Sequence, residues 1–375
     1  MTDPSATTSP VNIYPEKRRK KDESTSHGHK NNGDEEGASS PYFEAKEKPN
    51  STTHEGEGES EVGGEEPGKK KRPAHRQALL SFQSNGALST RKPLTNPTKR
   101  SDAARKPLKD IAAHTKSLLP GLLATRPDVP DKGYIYRDGE TPRLDRKYCP
   151  NLPATRIKVI DSDTIDAALA LNHSTTTNNR HPCVLNMANA NSAGGGWQHG
   201  ALAQEEALCY RTSLSLTLKK HYYPLPDKGG IYSPYVLVIR ENLKSGHDLL
   251  DVRDPSQLPV ISAVSVAAVC MPPTTVDGNG VRRYVLAQDK RLMEEKMRVI
   301  LRIAAKNGHR QIVLGAFGCG AFANPKEEVA RMWASVLREA EFAGGWWSDV
   351  VFAVLDDGRG NNFQTYQNEL DGLMV

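Results

Sequence analysis

Two adjacent carboxylates, Glu205 and Glu206, follow closely on a run of three glycines, Gly194, Gly195 and Gly196, and this pairing could do chemistry. An apolar run before the glycines predicts a buried strand, and the acids open a segment with helical spacing. A strand, a glycine loop and a helix in this order bring backbone N–H groups close to a phosphate. The carboxylates beside such a loop could transfer protons to or from the bound ligand.

The two acids also have an ordinary interpretation, because carboxylates in a first helical turn are favoured by the helix dipole and are common. Adjacent helical residues point about 100° apart. Glu205 and Glu206 therefore cannot face each other across one bond, as the two carboxylates of an ordinary glycosidase do. If the pair acts, one acid does the chemistry while the other holds the substrate. The spacing alone leaves both interpretations open.

A second glycine cluster, residues 315–320, follows another apolar run, residues 311–314. Ligands of open α/β sheets bind at the carboxyl ends of strands, so the two loops could flank one diphosphate. Each loop alone is also consistent with a tight turn. Neither loop fits G-x-x-x-x-G-K-[ST], and the triplet lacks the G-x-G-x-x-G spacing of dinucleotide-binding folds. A nucleotide triphosphatase is therefore disfavoured.

The positioning elements alternate from residue 156 onwards, which predicts an α/β fold. Strands rich in Val, Ile and Leu are expected at residues 157–160, 182–186, 235–239, 260–268, 311–314 and 349–355. Helices are expected at residues 110–123 (interrupted at Pro120 and Gly121), 164–171, 204–218, 284–306, 325–342 and 363–373. Because the helices lie between apolar strands, we predict a three-layer α/β/α sandwich with a mixed central sheet covered on both faces.

The first 109 residues differ in composition, since they are rich in Ser, Gly, Glu, Lys and Pro and have almost no apolar periodicity. Such a segment cannot bury enough apolar area to offset the entropy of ordering. We therefore predict a disordered tail over residues 1–109 and one folded domain over residues 110–375. Basic runs at residues 17–21 and 69–72 are typical of nuclear-import signals or nucleic-acid patches, and equally of a solvated charge run. The first interpretation gives the tail nucleic acid or import receptors as partners and makes the protein nuclear, with a cytoplasmic share left open.

Several classes of protein are disfavoured by composition. The net charge is +5, from 50 basic and 45 acidic residues, which is a modest bias. The sequence has no stretch of 18 apolar residues, so no membrane span is expected. The first ten residues lack the apolar core of a secretory signal. The five scattered cysteines predict a reducing compartment without a disulfide framework. No His, Cys and Asp spacing resembles a zinc site, so we expect no protein-held metal. As separate expectations, the chain needs no cofactor and acts as a monomer.

The glycine triplet, seven further residues and then Gln204-Glu205-Glu206 resemble the signature of poly(ADP-ribose) glycohydrolases, a catalytic branch of the macrodomain fold. The flanking residues resemble the compact microbial-type branch. The similarity extends over about residues 110–373 and excludes the tail. Its supporting matches are residues 186–189, 203–211, 314–324, 327–331 and 350–354.

This resemblance implies a macrodomain-like fold and a role for each signature residue. Glu206 would be the general acid towards the ribose–ribose glycosidic oxygen and would then activate the attacking water. For this step it must hold a proton near neutral pH, although a helix N-terminus favours the ionised form. Glu205 would hydrogen-bond ribose hydroxyls, and Gln204 would orient the pair. The substrate would be poly(ADP-ribose) or ADP-ribosylated proteins, and no metal is required.

The resemblance also implies a set of substrate contacts outside the acids. Asn189 would contact the terminal ribose, and the glycine triplet would lie along that ribose and the diphosphate. Asp163 would accept a hydrogen bond from the adenine amino group, and Phe363 would stack on adenine. The second diphosphate loop would comprise Gly318, Gly320, Ala321 and Phe322, with the phenyl ring against the ribose.

Three features depart from the family pattern. Ser192 and Ala193 precede the triplet where a proline is expected, and Trp197 follows it where smaller apolar residues are usual. Residues 277–283, with the sequence DGNGVRR, form a polar loop to which the resemblance gives no role. Two alternatives therefore stay open: a hydrolase that removes single ADP-ribose units from proteins, and a non-catalytic ADP-ribose-binding macrodomain reader. The second carboxylate of the signature argues against a reader.

Overall fold

The computed structural model of the chain describes residues 102–172, 180–356, 358 and 360–375. The predicted disorder of residues 1–101 and the two basic runs lie outside this part. Within it, no helix combines the length and the apolar character needed to cross a membrane. Over the same ranges, no three His, Cys, Asp or Glu side chains are grouped so as to hold a metal ion.

Nine strands are found in the described residues, and seven of them form a mixed sheet. They are β1 Tyr134–Tyr136, β2 Ile157–Ile160, β3 Cys183–Met187, β4 Gly230–Leu237, β5 Val260–Val266, β6 Thr274–Val276, β7 Arg282–Tyr284, β8 Gln311–Leu314 and β9 Asp349–Ala353. The spatial order of the sheet is β1-β4-β5-β3-β8-β9-β2. The five strands from β5 to β2 run parallel to one another. At one edge, β4 is antiparallel to β5, and the outermost strand β1 is antiparallel to β4. The strands β6 and β7 form a separate antiparallel hairpin.

Helices cover both faces of this sheet. They are α1 Asp102–Ala124, α2 Thr164–Asn172, α3 Gln204–Arg211, α4 Leu214–Thr217, α5 Ala287–Lys306, α6 Lys326–Leu337 and α7 Asn362–Leu370. Successive strand residues point to opposite faces. Accordingly, Leu185 of β3 is buried in the cluster formed with α5, α6 and α7, and its neighbour Val184 is buried in the cluster formed with α1, α2 and α3. The predicted three-layer α/β/α arrangement with a mixed central sheet is confirmed.

The predicted interruption of the first helix at Pro120 and Gly121 is wrong. Helix α1 begins at Asp102, crosses the predicted tail boundary and continues through both residues to Ala124. A proline inside a helix removes one hydrogen bond and strains the preceding turn. Burial of Leu119 and Leu122 against the strands β4 and β5 offsets that cost.

The predicted helix over residues 204–218 is divided into α3 and α4. Thr212 has an extended backbone and forms an antiparallel bridge with Val238. The N–H group of Ser213 donates to the Leu237 carbonyl at 2.9 Å. The backbone between the two helices is therefore bonded to the sheet edge instead of continuing the helix.

Two further expectations are corrected at element boundaries. Strand β4 begins at Gly230, five residues before the predicted start, and has a bulge between Ser233 and Val236. Helix α5 begins at Ala287, because residues 282–284 belong to the hairpin strand β7. Neither β1 nor the hairpin is predicted from the sequence, since both are short and carry polar or exposed side chains.

Candidate active site

The two glycine loops leave the sheet at the same edge. They follow β3 and β8, which are parallel neighbours in the sheet. A Cβ atom built on Gly315 would lie 3.3 Å from the terminal methyl group of Met187, so the two strand ends are in close contact. The expectation that the loops flank one region is therefore consistent with the sheet topology.

Gln204 ties the start of helix α3 to strand β3. Its side-chain Nε2 donates to the Leu185 carbonyl at 2.6 Å, and its Oε1 accepts from the Met187 N–H at 2.9 Å. The amide thereby extends the hydrogen bonding of the strand. The next two residues of α3, Glu205 and Glu206, contact the loop after β3. The orienting role implied for Gln204 remains a prediction, and this geometry is compatible with it.

Glu205 is almost fully buried, with 3% of its surface exposed. Its Oε2 accepts from the Asn189 N–H at 2.7 Å, and its Oε1 accepts from Asn186 Nδ2 at 3.3 Å. Burial raises the pKa of Glu205 to about 8, the charge of Glu206 adds to the rise, and the Asn189 N–H opposes it. The carboxyl group therefore holds a proton at neutral pH far more readily than an exposed glutamate does.

Glu206 lies directly against the glycine triplet. Its Oε1 accepts from the N–H of Gly196 at 2.9 Å. Gly195 has a φ of +58°, and a Cβ atom built there would overlap the same oxygen. Only glycine leaves room for that carboxylate. A helix-dipole explanation of the acids does not account for this contact, because it requires no contact with the preceding loop.

Trp197 lies beneath the glycine loop and not over it. Its side chain is 3% exposed and makes an edge contact with Tyr210, whose hydroxyl oxygen lies 2.8 and 2.7 Å from the carbonyl oxygens of Trp197 and Ala201. A Cβ atom on Gly194, which has a φ of +72°, would lie 2.8 Å from the indole ring. The indole therefore supports the loop from the core side, where it cannot close over a ligand.

Asn189 shapes the loop between β3 and the triplet. Its Oδ1 accepts from the N–H groups of Asn191 and Ser192 at 2.8 and 3.0 Å, while its own N–H is bound by Glu205. The tight turn that a proline would enforce is thus formed here by a side chain. The predicted ribose contact of Asn189 is not tested by these bonds.

The second loop is held by a buried amide. Asn324 Nδ2 donates to the carbonyls of Val269, Gly318 and Phe322 at 2.7, 3.0 and 3.3 Å. Gly318 has a φ of +73°, whereas a Cβ atom built on Gly320 would have no atom within 4 Å. Gly320 and Ala321 are exposed and Phe322 is half-buried. The loop therefore presents backbone to solvent, as a diphosphate site requires.

Asp163 has structural partners that the sequence prediction did not include. Its Oδ1 accepts from the Ile165 N–H at 2.8 Å, which caps helix α2, and it forms an ion pair with Arg211. Arg211 is 1% exposed and also contacts Asp166 at 2.7 Å. This carboxylate is thus committed to a cap and an ion pair, and the adenine contact remains a prediction. Phe363, in the first turn of α7, is half-buried against the α5–α7 core, and its stacking role likewise remains a prediction.

Three residues near the acids are given no role by the sequence reasoning, although Asn186 lies within one of the supporting matches. Asn186 is fully buried and bridges Glu205 to Ser265, whose Oγ lies 3.0 Å from its Nδ2. Tyr223 has a buried hydroxyl without a hydrogen-bond partner among the described residues, and burial and the charge of Glu205 raise its pKa strongly. A polar residue at the end of an apolar strand could have identified Asn186. Nothing local in the sequence distinguishes Tyr223 from Tyr222.

Comparisons with known proteins point to one family. The family model described as the catalytic domain of microbial-type poly(ADP-ribose) glycohydrolase matches residues 135–241, which include both the triplet and the acids. The crystal structure of poly(ADP-ribose) glycohydrolase from Thermomonospora curvata is similar with a TM-score of 0.58 and 24% identity, over 70% of this chain and 99% of that chain. The enzyme from Deinococcus radiodurans in complex with ADP-ribose is similar with a TM-score of 0.53 and 26% identity, over 68% of this chain and 98% of that chain.

The search of curated proteins finds no match. The family match and the two structures together confirm the predicted resemblance to microbial-type poly(ADP-ribose) glycohydrolases.

Proposed function

We propose that this chain is a poly(ADP-ribose) glycohydrolase that hydrolyses ribose–ribose O-glycosidic bonds and releases ADP-ribose. One observation carries the proposal: the Glu206 carboxylate is bonded to the Gly196 N–H and packs where Gly195 has no Cβ. The acid and the glycine loop are thereby one unit. A group that can move protons is held beside backbone that can bind a phosphate.

In this function Glu206 acts on the leaving group and on water in turn. It donates its proton to the glycosidic oxygen as the bond to the terminal ribose breaks, so that the leaving ribose departs as a neutral hydroxyl. Positive charge develops on the ribose, and the neighbouring diphosphate stabilises it. A water then attacks this centre and returns a proton to Glu206. No covalent intermediate on a second carboxylate is needed.

Glu205 has a different task because its environment differs. The raised pKa and the buried contacts with Asn186 and Asn189 favour a protonated carboxyl at neutral pH. A protonated carboxyl can donate to a ribose hydroxyl and accept from another. Two acids with separate environments can thus take separate roles, although the protons of such a pair titrate jointly.

Exo-type cleavage by a monomer is part of the proposal, as are the roles of the tail. The basic runs at residues 17–21 and 69–72 support nuclear import or nucleic-acid contact on sequence grounds alone. Replacing both runs by Ser and Gly in a fluorescent fusion tests the nuclear location. We expect the altered protein to lose nuclear enrichment, and unchanged enrichment would remove the import role.

Incubation of the purified full chain with automodified poly(ADP-ribose) and, separately, with singly modified protein tests the function. We expect ADP-ribose to accumulate from the polymer, with the protein-linked unit left in place. Release only from the singly modified protein would identify a mono-ADP-ribosyl hydrolase. Binding of ADP-ribose with both substrates intact would identify a reader and would refute the enzyme.

A further inference from the structure

The polar segment predicted as a loop at residues 277–283 closes a tight hairpin. Residues 277–281 form the turn between β6 and β7, and residues 282–283 belong to β7. The register pairs Thr274 with Tyr284 and Val276 with Arg282. Asp277 fixes the turn, because its Oδ1 accepts from the N–H groups of Asn279 and Val281 at 2.9 and 3.0 Å. The hairpin is thus an ordered element, although it contributes little to the apolar core.

Tyr284, at the end of β7, connects this hairpin to the second glycine loop. Its hydroxyl donates to Asn324 Oδ1 at 2.8 Å, and its backbone N–H donates to Glu328 Oε2 on helix α6 at 2.7 Å. Burial raises the pKa of Tyr284 far above its ordinary value, so the phenol stays protonated and remains a donor. Tyr284 is therefore held by its hydroxyl at one end and by its backbone N–H at the other.

The Asn324 amide is held from two sides. Its Nδ2 faces the carbonyls of Val269, Gly318 and Phe322, and its Oδ1 accepts from the Tyr284 phenol. A rotated amide would place an oxygen against three carbonyl oxygens, so the carbonyls set the orientation of the amide. The phenol holds the amide in that orientation from the opposite side.

The hairpin side of the site contacts the loop at a second point. The N–H of Met271, in the segment leading into β6, donates to the Phe322 carbonyl at 2.9 Å. The carbonyl groups of the loop are therefore turned inwards and bonded at Gly318 and Phe322. Among the described residues, Gly320 and Ala321, which are exposed and lie between them, donate no backbone hydrogen bond, so their N–H groups can meet an anion.

We propose that Tyr284 is a positioning residue for the second glycine loop and that it fixes, through Asn324, the shape in which the loop binds the diphosphate of ADP-ribose. The hairpin β6–β7 braces this contact. The inference deepens the proposed function and rests on it for the identity of the ligand. It gives the polar loop at residues 277–283 a role in substrate affinity and none in the chemical step.

The charges around the hairpin support a bracing role. Arg283 contacts Asp277 at 2.9 Å and Glu328 at 3.9 Å, and Lys290 of helix α5 contacts Glu328 at 3.8 Å. Glu328 is therefore the point at which β7, α5 and α6 meet. Outside this group the hairpin is exposed, with 61% of Val276 accessible. Weakening the contact with the loop should thus leave the core intact.

Substitution of Tyr284→Phe tests the proposal, because it removes one hydroxyl and keeps the ring. We expect the Kd of ADP-ribose to rise about five- to tenfold, as for the loss of one buried hydrogen bond. The KM for polymer should rise by a similar factor while kcat changes less than about twofold, as for an interaction made equally in the ground and transition states. Hydrogen exchange of the amides at residues 318–322 should become faster.

Tyr136→Phe is the matched control. Tyr136 is also half-buried, and its hydroxyl accepts from Asn307 Nδ2 at 3.2 Å in strand β1, outside both loops. It should change neither ADP-ribose affinity nor exchange at residues 318–322. Equal effects of the two substitutions would overturn the positioning role.

Hydrogen exchange separates this proposal from the proposed function, since it needs neither ligand nor turnover. Unchanged exchange in Tyr284→Phe overturns the positioning role even if the wild-type chain cleaves polymer. Conversely, faster exchange together with a wild-type chain that leaves polymer intact supports the role of Tyr284 and refutes the hydrolase. A drop in kcat without a change in KM would place Tyr284 in the chemical step and contradict the proposal.

Discussion

The two glycine loops of the site are held by different kinds of side chain, a carboxylate that accepts hydrogen bonds and an amide that donates them. The first loop, with Gly195 and Gly196, is bonded to the carboxylates of helix α3, which immediately follows it in the chain. The second loop is bonded to the neutral amide of Asn324, which Tyr284 holds from a hairpin 40 residues earlier. A loop that carries acids can move protons, whereas a loop held by an amide can only bind. Under the proposed function, catalysis therefore belongs to the first loop and affinity to the second.

The two loops also differ in how much a substitution disturbs them. A Cβ atom on Gly195 would overlap Glu206, and Gly195 has a positive φ, while Gly320 has open space around it. The first loop therefore tolerates no side chain at its centre. The second is constrained at its base, where Gly318 lies against Asn324, and is open at its tip.

Gly195→Ala should have the largest effect of the loop substitutions. The methyl group must displace Glu206 or shift the loop, and misplacement of a catalytic group by about 1 Å can cost about 100-fold in rate. We expect kcat for polymer to fall by about that factor. Gly139→Ala is the matched control, because Gly139 also has a positive φ but no atom within 4 Å of an added Cβ, and it lies outside both loops. Its kcat should stay within about twofold of wild type. Equal activity of the two variants would show that the first loop does not position the acid.

Asn324→Ala should have an intermediate effect, confined to affinity. It removes the side-chain donor to the carbonyls of Val269, Gly318 and Phe322. The carbonyls of Gly318 and Phe322 keep the backbone donors of Asn324 and Met271, whereas no other donor to the Val269 carbonyl is found among the described residues. An unmade hydrogen bond of this kind costs about 1–3 kcal/mol. Calorimetry should show ADP-ribose binding weakened by about tenfold or more, with kcat at saturating polymer largely retained. A fall in kcat with unchanged KM would reverse the roles of the two loops.

The smallest effect is expected for Glu205→Gln, and it concerns how the free energy of unfolding changes with pH. The pKa of this group rises from an ordinary value of 4.5 to about 8 in the folded state. Between these values the folded chain binds a proton that the unfolded chain does not, so the free energy of unfolding falls as pH rises through this window. Glu205→Gln has no titratable group at this position, so this loss of stability with rising pH is absent from the variant.

Chemical unfolding at pH 5 and pH 8 checks this expectation. Relative to Glu205→Gln, wild type should lose more than about 1 kcal/mol of stability between the two pH values, given that one pKa unit corresponds to about 1.4 kcal/mol. An unchanged difference between the two proteins would mean that Glu205 is ionised in the folded state. The proposed difference in environment between Glu205 and Glu206 would then be wrong.

The sequence predicted best what depends on local patterns. The strands β2 and β8 have the predicted bounds, because each is a short, mostly apolar run that follows an arginine and ends before Asp161 or Gly315. The first loop, too, was predictable, since its glycines and the acids that contact them are separated by only about seven residues. Spacing along the chain carries this information without knowledge of the tertiary structure.

What the sequence did not predict depends on distant partners. Thr212 ends helix α3 because it bridges to Val238, and Pro120 stays within α1 because its neighbours are buried by β4 and β5. The hairpin strand β7 is not predicted, since the polar residues before it resemble any surface turn. Asp163 pairs with Arg211, which lies 48 residues away. Each of these contacts forms only after the sheet has brought the partners together.

The central claim is that Glu206, held in the first loop, does the chemistry while binding depends on both loops. The most direct test measures cleavage of polymer and binding of ADP-ribose on the same sample of Glu206→Gln. We predict a loss of about 10²- to 10⁴-fold in cleavage, the usual contribution of a general acid–base group, with the Kd of ADP-ribose within about threefold of wild type. Full cleavage activity in Glu206→Gln would contradict the account.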